Sequence, residues 1–472
     1  MSSDSFPPRE PAVFSPEVPG RVLELARALS TDGGRVVVVG GWVRDHLNGI
    51  GSKDLDLEIF GPSRDELTDL LSPFGFTKPV GREFPVWRQT RDGIDVSYPR
   101  AGADRFDAGV DGSLEEAFRE ASRHRDLTIN AIGWDPISKA LIDPWNGRDD
   151  LEARRLRAVS AETFGVDPLR VLRVARLKSR LDASVDSELE SLCRGLDLGA
   201  LAPERIAAEL ARILCESVRP SIALEFLAEI DQLDVLPPIR ELQDVEQDPR
   251  WHPEGDVFVH TCLVIDRAAE IARADTLTDE ARRVLMFSAL CHDLGKPATT
   301  RIEADGRIRS LQHEAESASC TRTWLEQLRL GDARIRAIVA LVASHLAPAQ
   351  FVRQGAKAAA YRRLARKLEP AAVTVVDLER LARADHLGRS TAEALTGRFE
   401  AGERFLRAAR EADIHEGVPA DVVSASMLLA RGMVPGPELG RRLARCREVQ
   451  DETGSRDAGQ ILERVFQEPR TD

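Results

Sequence analysis

The stretch that most constrains the fold is VVVVGGWVRDHLNGIGSKDLDLEIF, from Val36 to Phe60. The run of β-branched residues from Val36 to Val39 favours a pleated strand over a helix. Gly40 and Gly41 predict a turn whose backbone N–H groups can approach an anion, and the short helix that follows adds a favourable dipole. After a loop, a second strand carries Asp54 and Asp56. The period-two alternation of a strand sends both carboxylates to one face and Leu55 and Leu57 to the other. Taken singly, a Gly-Gly turn is only a turn and an Asp-x-Asp pair is solvated surface. Taken together, two carboxylates beside a phosphate cradle meet the needs of two-magnesium phosphoryl transfer, because hard cations want oxygen ligands.

A chain of 472 residues is too long for one core, so two to four units are expected. No apolar run approaches the length of a membrane span. The N-terminus, MSSDSFPPREPAVFSPEVPG, has no apolar signal core and reads as a flexible lead-in to a cytoplasmic protein. Six scattered cysteines form no Cys-x-x-Cys pair and read as reduced, mostly buried thiols. A net charge of −13 argues against non-specific coating of nucleic acid. A local basic face can still hold RNA, and one runs from Arg148 to Arg180. The smaller basic clusters at Arg353–Lys367 and Arg441–Arg447 read as solvated helix faces.

The order Gly-Gly-x-Val-Arg-Asp, Leu, Gly, Asp-x-Asp is present as Gly40, Gly41, Val43, Arg44, Asp45, Leu47, Gly49, Asp54 and Asp56. It resembles the signature of polymerase-beta-type nucleotidyltransferases, in detail that of bacterial class II tRNA nucleotidyltransferases and poly(A) polymerases. Arg64 to Leu71 then suggests a short helix, followed by a segment punctuated by glycine and proline. The strand RDGIDVSYPR sets Asp95 opposite in direction to Ile94 and Val96. The resemblance makes Asp95 the candidate third carboxylate, with an exposed strand aspartate as the competing reading. Residues 101–111 read as a loop, shorter than the loop that helps the family switch between adding C and adding A.

HRDLTINAIGWDP resembles the family's Arg-Arg-Asp-x-x-x-Asn segment, which contacts the incoming nucleotide. Arg125, Asp126 and Asn130 match, and His124 replaces the first arginine. Locally, Asp126 reads as a helix cap with Asn130 one turn on. Asp143, Pro144 and Gly147 mark a turn that closes the head.

GVDPLRVLRVARLKSRL is a predicted helix with Asp167 as N-cap and Pro168 at its first position. On residues alone, Arg170, Arg173, Arg176 and Arg180 make a solvated basic face. The resemblance implies instead that Asp167 and Arg170 read the edge of the incoming C or A, with Arg173 beside them. A carboxylate accepting from an exocyclic amine and a guanidinium donating to the ring suit that role. Val166 stands where the family carries a glutamate. The next helical segment, LAPERIAAELARIL, reads as scaffold.

From about Trp251 the character changes. Four of the nine histidines fall in one pattern: His260, then His292 with Asp293, then His313 and His345, followed by Asp385. This resembles the HD phosphohydrolase domain. The resemblance implies that His260, His292, Asp293 and Asp385 bind one metal, while His313 and His345 complete a second site bridged by Asp293. Imidazole with carboxylate suits Mn²⁺, Ni²⁺, Co²⁺ or Fe²⁺, or more weakly held Mg²⁺. Lys296 is placed to steady a phosphate's charge. The remainder from Phe405 is helical in pattern and is assigned to packing or RNA contact.

The expected architecture is an α/β head with a mixed sheet and helices, followed by an all-α remainder. Its expected parts are a lead-in (1–20), a nucleotidyltransferase head (21–150), a helical neck (151–248), an HD domain (249–400) and a helical C-terminal region (401–472). The resemblance implies CCA addition or repair on tRNA from CTP and ATP. In that reading Asp54 and Asp56 hold two Mg²⁺, and the HD domain adds a metal-dependent hydrolysis. Narrower relatives that add only CC, only A or a poly(A) tail are the alternatives, as is a weak head whose working chemistry lies in the HD domain.

Overall fold

A computed structural model describes residues 14, 16–31, 33–51, 55–77, 79–80, 85–100, 106–110, 112–415 and 417–468. Asp54 and residues 101–105 and 111 of the predicted loop lie outside the described residues. The chain divides into two compact units, residues 1–198 and 199–472.

The first unit runs α1 (Gly20–Thr31), β1 (Arg35–Val39), α2 (Gly41–Leu47), β2 (Leu55–Phe60), α3 (Arg64–Leu71), β3 (Val86–Gln89), β4 (Ile94–Ser97) and α4 (Ser113–Ser122). It continues with β5 (Gly133–Trp134), β6 (Leu141–Ile142), α5 (Gly147–Glu152), β7 (Arg155–Leu156), α6 (Ala161–Phe164), α7 (Arg170–Leu181), β8 (Ser184–Val185) and α8 (Ser187–Arg194). Strands β3-β4-β2-β1-β5-β6 form one mixed sheet, in which only β2 and β4 run parallel.

One sheet face buries Val36, Val38, Leu55, Leu57, Ile94 and Val96 with Leu25 and Leu29 of α1 and Leu67 and Leu71 of α3. The other buries Val37, Val39 and Phe60 with Phe118 and Ala121 of α4. The alternation of β1 and β2 therefore sends core residues to both faces, and leaves Asp56 and Glu58 among the residues facing the α4 side. Helix α3 starts on a capping box between Ser63 and Glu66.

The first unit departs from expectation in three places. Strand β3 lies inside the segment read as punctuation, because Trp87 packs into the core between turns set by its neighbours. Asp126 precedes a single 3-10 turn, Thr128–Asn130, rather than capping an α-helix. Helix α7 begins three residues after Asp167, and its arginines do not form a solvated face: Arg170 and Arg176 are buried.

The second unit is helical apart from one hairpin. It comprises α9 (Pro203–Glu216), α10 (Ser221–Glu229), α11 (Pro237–Arg240), α12 (Val257–Ala274), α13 (Asp279–Cys291), α14 (Lys296–Thr299), β9 (Thr300–Ile302), β10 (Ile308–Ser310), α15 (His313–Gln327), α16 (Asp332–Val342) and α17 (Ala347–Gln354). Then follow α18 (Ala358–Leu368), α19 (Val375–Gly388), α20 (Glu400–Glu411), α21 (Ala425–Ala430), α22 (Pro437–Thr453) and α23 (Ala458–Gln467). Asp256 caps α12 through the Val259 N–H at 2.8 Å. Contrary to expectation, the segment Asp332–Gln354 is long and apolar enough to cross a membrane. Its apolar residues Ile335, Ile338, Leu341 and Val342 are instead core, and a turn at 343–346 breaks the helix.

The two smaller basic clusters are ion-paired rather than simply solvated. Arg366 bridges Asp451 at 2.6 Å and Asp421 at 3.0 Å, and Arg445 pairs with Glu468 and Glu448. Residues of α21, α22 and α23 enclose a small core of their own around Leu428, Val449 and Val465. All six cysteines are free thiols.

Candidate functional site

The turn after β1 brings the first set of candidate residues together. Gly40 has φ 74°, a left-handed conformation that suits glycine. A Cβ there would lie 3.4 Å from Arg125 Nη1 and 3.6 Å from Asp56 Oδ2, so glycine leaves open the space between a cation and a carboxylate. Strand register aligns Asp56 with Asp95, and Asp95 with Arg88. The Asp56 side chain is exposed, whereas both Asp95 oxygens are gripped by Arg88 at 2.8 and 2.9 Å. Glu58, two residues beyond Asp56 on the same face, is buried and accepts from Arg125 at 2.7 Å. Sequence reading passed over Glu58, although its spacing continues the Asp-x-Asp alternation. An exposed carboxylate beside a second one fits divalent cations, whose hard charge matches oxygen donors.

Behind this row lies a continuous polar network. Arg44, from α2, donates to Asn130 Oδ1 at 2.6 Å and to Asp45 at 2.7 Å, and Asp45 in turn accepts from Arg180 at 3.0 Å. Asn130 donates to Asp126 at 2.9 Å, and Asp126 meets Arg173 at 2.8 Å. Burial alone would raise the Asp126 carboxyl, but Arg173 and Asn130 hold it below the usual carboxylate range. The motif residues thus fix one another through buried, charge-assisted bonds. Gly41 packs against the Arg44 guanidinium, at 3.3 Å from a hypothetical Cβ.

Arg170 is buried, and its terminal nitrogens donate to the main-chain carbonyls of Thr163 at 2.7 Å and His124 at 2.5 Å. Its guanidinium also lies 6.0 Å from the centre of the Phe164 ring. Asp167, half-buried, accepts from the Leu169 N–H at 3.2 Å. Val166 is 72% exposed, so no side chain at that position now orients Arg170.

The second set lies in the second unit, where helix ends converge. His260 comes from α12, His292 and Asp293 follow α13, His313 opens α15, His345 sits in the turn after α16 and Asp385 lies on α19. All six are buried. The Nδ1 atoms of His292, His313 and His345 each lie 2.8 Å from a carbonyl oxygen, of Ala289, Ser310 and Val342. A carbonyl only accepts, so each Nδ1 carries the proton and, in the neutral ring, Nε2 presents a lone pair. These Nε2 atoms converge: His292 lies 3.4 Å from His260, and His313 lies 3.3 Å from His345. Lone pairs at that separation repel, and a shared cation relieves the repulsion. The two oxygens of Asp293 divide between the pairs, at 3.1 Å from His292 Nε2 and 3.3 Å from His313 Nε2. Two donor clusters of His and Asp result, and they suit divalent metals.

Residues not picked out from the sequence brace this centre. Glu254 accepts from His260 Nδ1 at 2.9 Å and from His252 at 2.9 Å, the carboxylate–histidine arrangement that orients metal ligands. Arg389, one turn beyond Asp385, grips it at 3.0 Å. Burial, offset by Arg389 and His260, leaves the Asp385 carboxyl well below its usual range. Lys296 is buried between Asp293 and Gln247, at 2.7 Å from each. His345 is pushed down to about 4, first by burial and then by the neighbouring His292 and His313.

Comparison with known proteins agrees with this geometry. Residues 36–157 match the poly A polymerase head domain, and residues 257–387 match the HD domain. The multifunctional CCA protein of Aromatoleum aromaticum is 38% identical over 309 residues, spanning 62% of this chain and 70% of that one. That of Cupriavidus metallidurans is 35% identical over 327 residues, spanning 65% and 73%. Among solved structures, a CCA-adding enzyme in complex with CTP superposes with a TM-score of 0.59 at 19% identity, over 95% of this chain and 96% of that one. The Thermotoga maritima CCA-adding enzyme complexed with tRNA gives 0.58 at 18%, over the same shares. The structural likeness shows the fold, and the sequence likeness shows the family. This chain belongs to the multifunctional CCA protein family.

Proposed function

We propose that the first unit adds or repairs the 3′-terminal CCA of tRNA from CTP and ATP, in the cytoplasm, and that the histidine cluster is a separate phosphohydrolase centre. The observation that carries the transferase reading is the alignment of Asp56 with Asp95 beside the open turn at Gly40. Asp54, Asp56 and Asp95 would hold Mg²⁺, which supplies charge neutralisation and activates the attacking hydroxyl when bound. The tRNA 3′-oxygen attacks the α-phosphorus, the bond to pyrophosphate breaks, and the hydroxyl proton leaves to base or solvent. The Gly40 and Gly41 N–H groups and Arg44 position the triphosphate. Arg125, Asp126 and Asn130 fix the ribose and phosphates, while Asp167, Arg170 and Arg173 select the base. The head is assigned to residues 21–150 and the base-reading neck to 151–248.

In the region 249–400, His260, His292, Asp293 and Asp385 would hold one ion, and His313 and His345 a second one bridged by Asp293. Mn²⁺, Ni²⁺, Co²⁺ or Mg²⁺ all suit this donor set. Water adds to the phosphorus of a phosphoester, the ester P–O bond breaks, and the proton released by the water passes through solvent to the departing alcohol. Asp293 orients the centre, and Lys296 balances the charge of the departing phosphate.

The two assignments separate by mutation. Asp56→Ala is expected to remove labelled nucleotide incorporation and to spare metal-dependent hydrolysis of p-nitrophenyl phosphate. His292→Ala is expected to do the reverse. Incorporation that survives Asp56→Ala contradicts the transferase site, and loss of both activities in either variant contradicts two independent centres.

A further inference from the structure

Strand β2 carries its alternation one step past Asp56, and that step places a charge among core residues. Register sets Asp56 opposite Val39, directly before the Gly40 turn, and Glu58 opposite Val37, one step further from the turn. Val37 and Val39 pack with Phe118 and Ala121 of α4, so Glu58 enters the layer where these apolar side chains meet. It is only 7% exposed. A carboxylate taken out of water is costly unless a cation meets it, and an apolar side chain of similar volume is often at least as stabilising. Stability alone does not account for a glutamate here.

The cation that meets it is Arg125, whose Nη2 donates to Glu58 Oε1 at 2.7 Å. The other terminal nitrogen, Nη1, donates to the Asn130 carbonyl at 3.3 Å. That same Nη1 lies 3.4 Å from the point where a Cβ on Gly40 would stand, and Asp56 Oδ2 lies 3.6 Å from that point. One end of the guanidinium is thus tied to Glu58, while the other borders the gap between the glycine turn and Asp56. The tie is a single bond. Among the described residues, Glu58 Oε2 and Arg125 Nε are both buried with no hydrogen-bond partner. Arginine and carboxylate frequently close two parallel bonds. This pair leaves the second bond unmade and keeps Nη1 at the turn.

Resting on the transferase reading of the first unit, we propose that Glu58 is a positioning residue. It holds the Arg125 guanidinium at the Gly40 turn, where Nη1 meets the triphosphate of the incoming nucleotide. A guanidinium released from Glu58 has Asp56 across the same gap, and pairing there would set a cation against a proposed metal ligand. Glu58 acts through Arg125, on the phosphates rather than the base. Its effect therefore falls equally on CTP and ATP.

Equilibrium binding of CTP and of ATP to full-length protein, with Mg²⁺ and without tRNA, provides the test. Glu58→Gln removes a negative charge and keeps the shape. By Coulomb attraction alone that change favours an anionic nucleotide. Positioning predicts the opposite sign: a dissociation constant about tenfold higher for both nucleotides, the scale of one lost hydrogen bond to a charged group. Glu58→Asp keeps the charge but draws the carboxylate back from Arg125. It is expected to weaken both nucleotides similarly, and it decides the question if the glutamine variant does not fold. In an Arg125→Gln background, Glu58→Gln should shift binding by less than about twofold, since its effect runs through that guanidinium. Tighter or unchanged binding in either single variant overturns the proposal. So does a loss confined to one nucleotide, or an undiminished effect of Glu58→Gln without Arg125. Wild-type protein that binds neither nucleotide overturns the transferase reading and the proposal with it.

Discussion

At the scale of single residues, the proposed transferase site depends on arginines whose partners come from distant segments. Arg170 joins near and distant segments, because the main-chain carbonyls of Thr163, Phe164 and the more distant His124 fix its guanidinium. Restoring a carboxylate with Val166→Glu is therefore expected to leave the preference between CTP and ATP within about twofold of wild type, as exposed substitutions usually do. A sharpened preference in competition assays would show that the carbonyls do not suffice. Asp126 gives a prediction with a pH sign. Although burial opposes it, its folded carboxyl lies below the ordinary value, held there by Arg173 and Asn130. Its contribution to stability is thus fully present above an unfolded pKa of about 3.9 and is lost as pH falls through the lower folded value. Asp126→Asn should cost about 1–3 kcal/mol near neutral pH and flatten the acid limb of a denaturation curve below about pH 4. An unchanged acid limb would contradict the network. Arg44, Asp126 and Asn130 were legible from their motif spacing. Glu254, Arg389 and the pairing of Asp45 with Arg180 were not, because such roles arise only when segments far apart in sequence meet.

At the scale of elements, periodicity read most of the fold correctly and failed where charge was paired inside. The first sheet and its flanking helices follow from alternation and capping. Helix α7 was read as half solvated because arginine counts as polar, yet Arg173 and Arg180 find Asp126 and Asp45, so the helix is largely buried. Strand β3 was hidden by the glycine and proline around it. In the second unit, every metal-candidate histidine except His260 sits at a helix end or in the turn after one, where the chain can aim a ring inward. Gly295 is critical to that arrangement. A Cβ there would lie 2.4 Å from Ser317 N and 2.6 Å from the His313 carbonyl oxygen, a backbone clash that no rotamer relieves. Gly295→Ala is expected to cost about 1–3 kcal/mol and to displace His313. Metal-dependent hydrolysis should fall sharply while nucleotide incorporation persists. Undiminished hydrolysis would mean that His313 does not need its present seat.

At the scale of the whole molecule, the chain carries two compact units, with the aligned carboxylates Asp56 and Asp95 in the first and His–Asp donor clusters in the second. Acidic overall charge excludes neither, because each proposed site gathers local cations against the background: Arg44, Arg125 and Arg173 in the first unit, Lys296 and Arg389 in the second. The order of the two motifs was legible in sequence, and the family match follows the same order. The number of nucleotides added was not legible, since Val166 departs from the expected pattern beside the residues proposed to read the base, and His124 departs from it in the segment proposed to contact the ribose and phosphates. The central claim is tested most directly by incorporation with purified full-length protein and Mg²⁺. Labelled CTP or ATP is supplied to tRNAs ending before the CCA, after C, and after CC. The expected result is addition of C, C and then A, followed by a stop. Only CC, only A or a long A-tail would contradict full CCA synthesis, and no transfer to any of the three would contradict the transferase assignment itself.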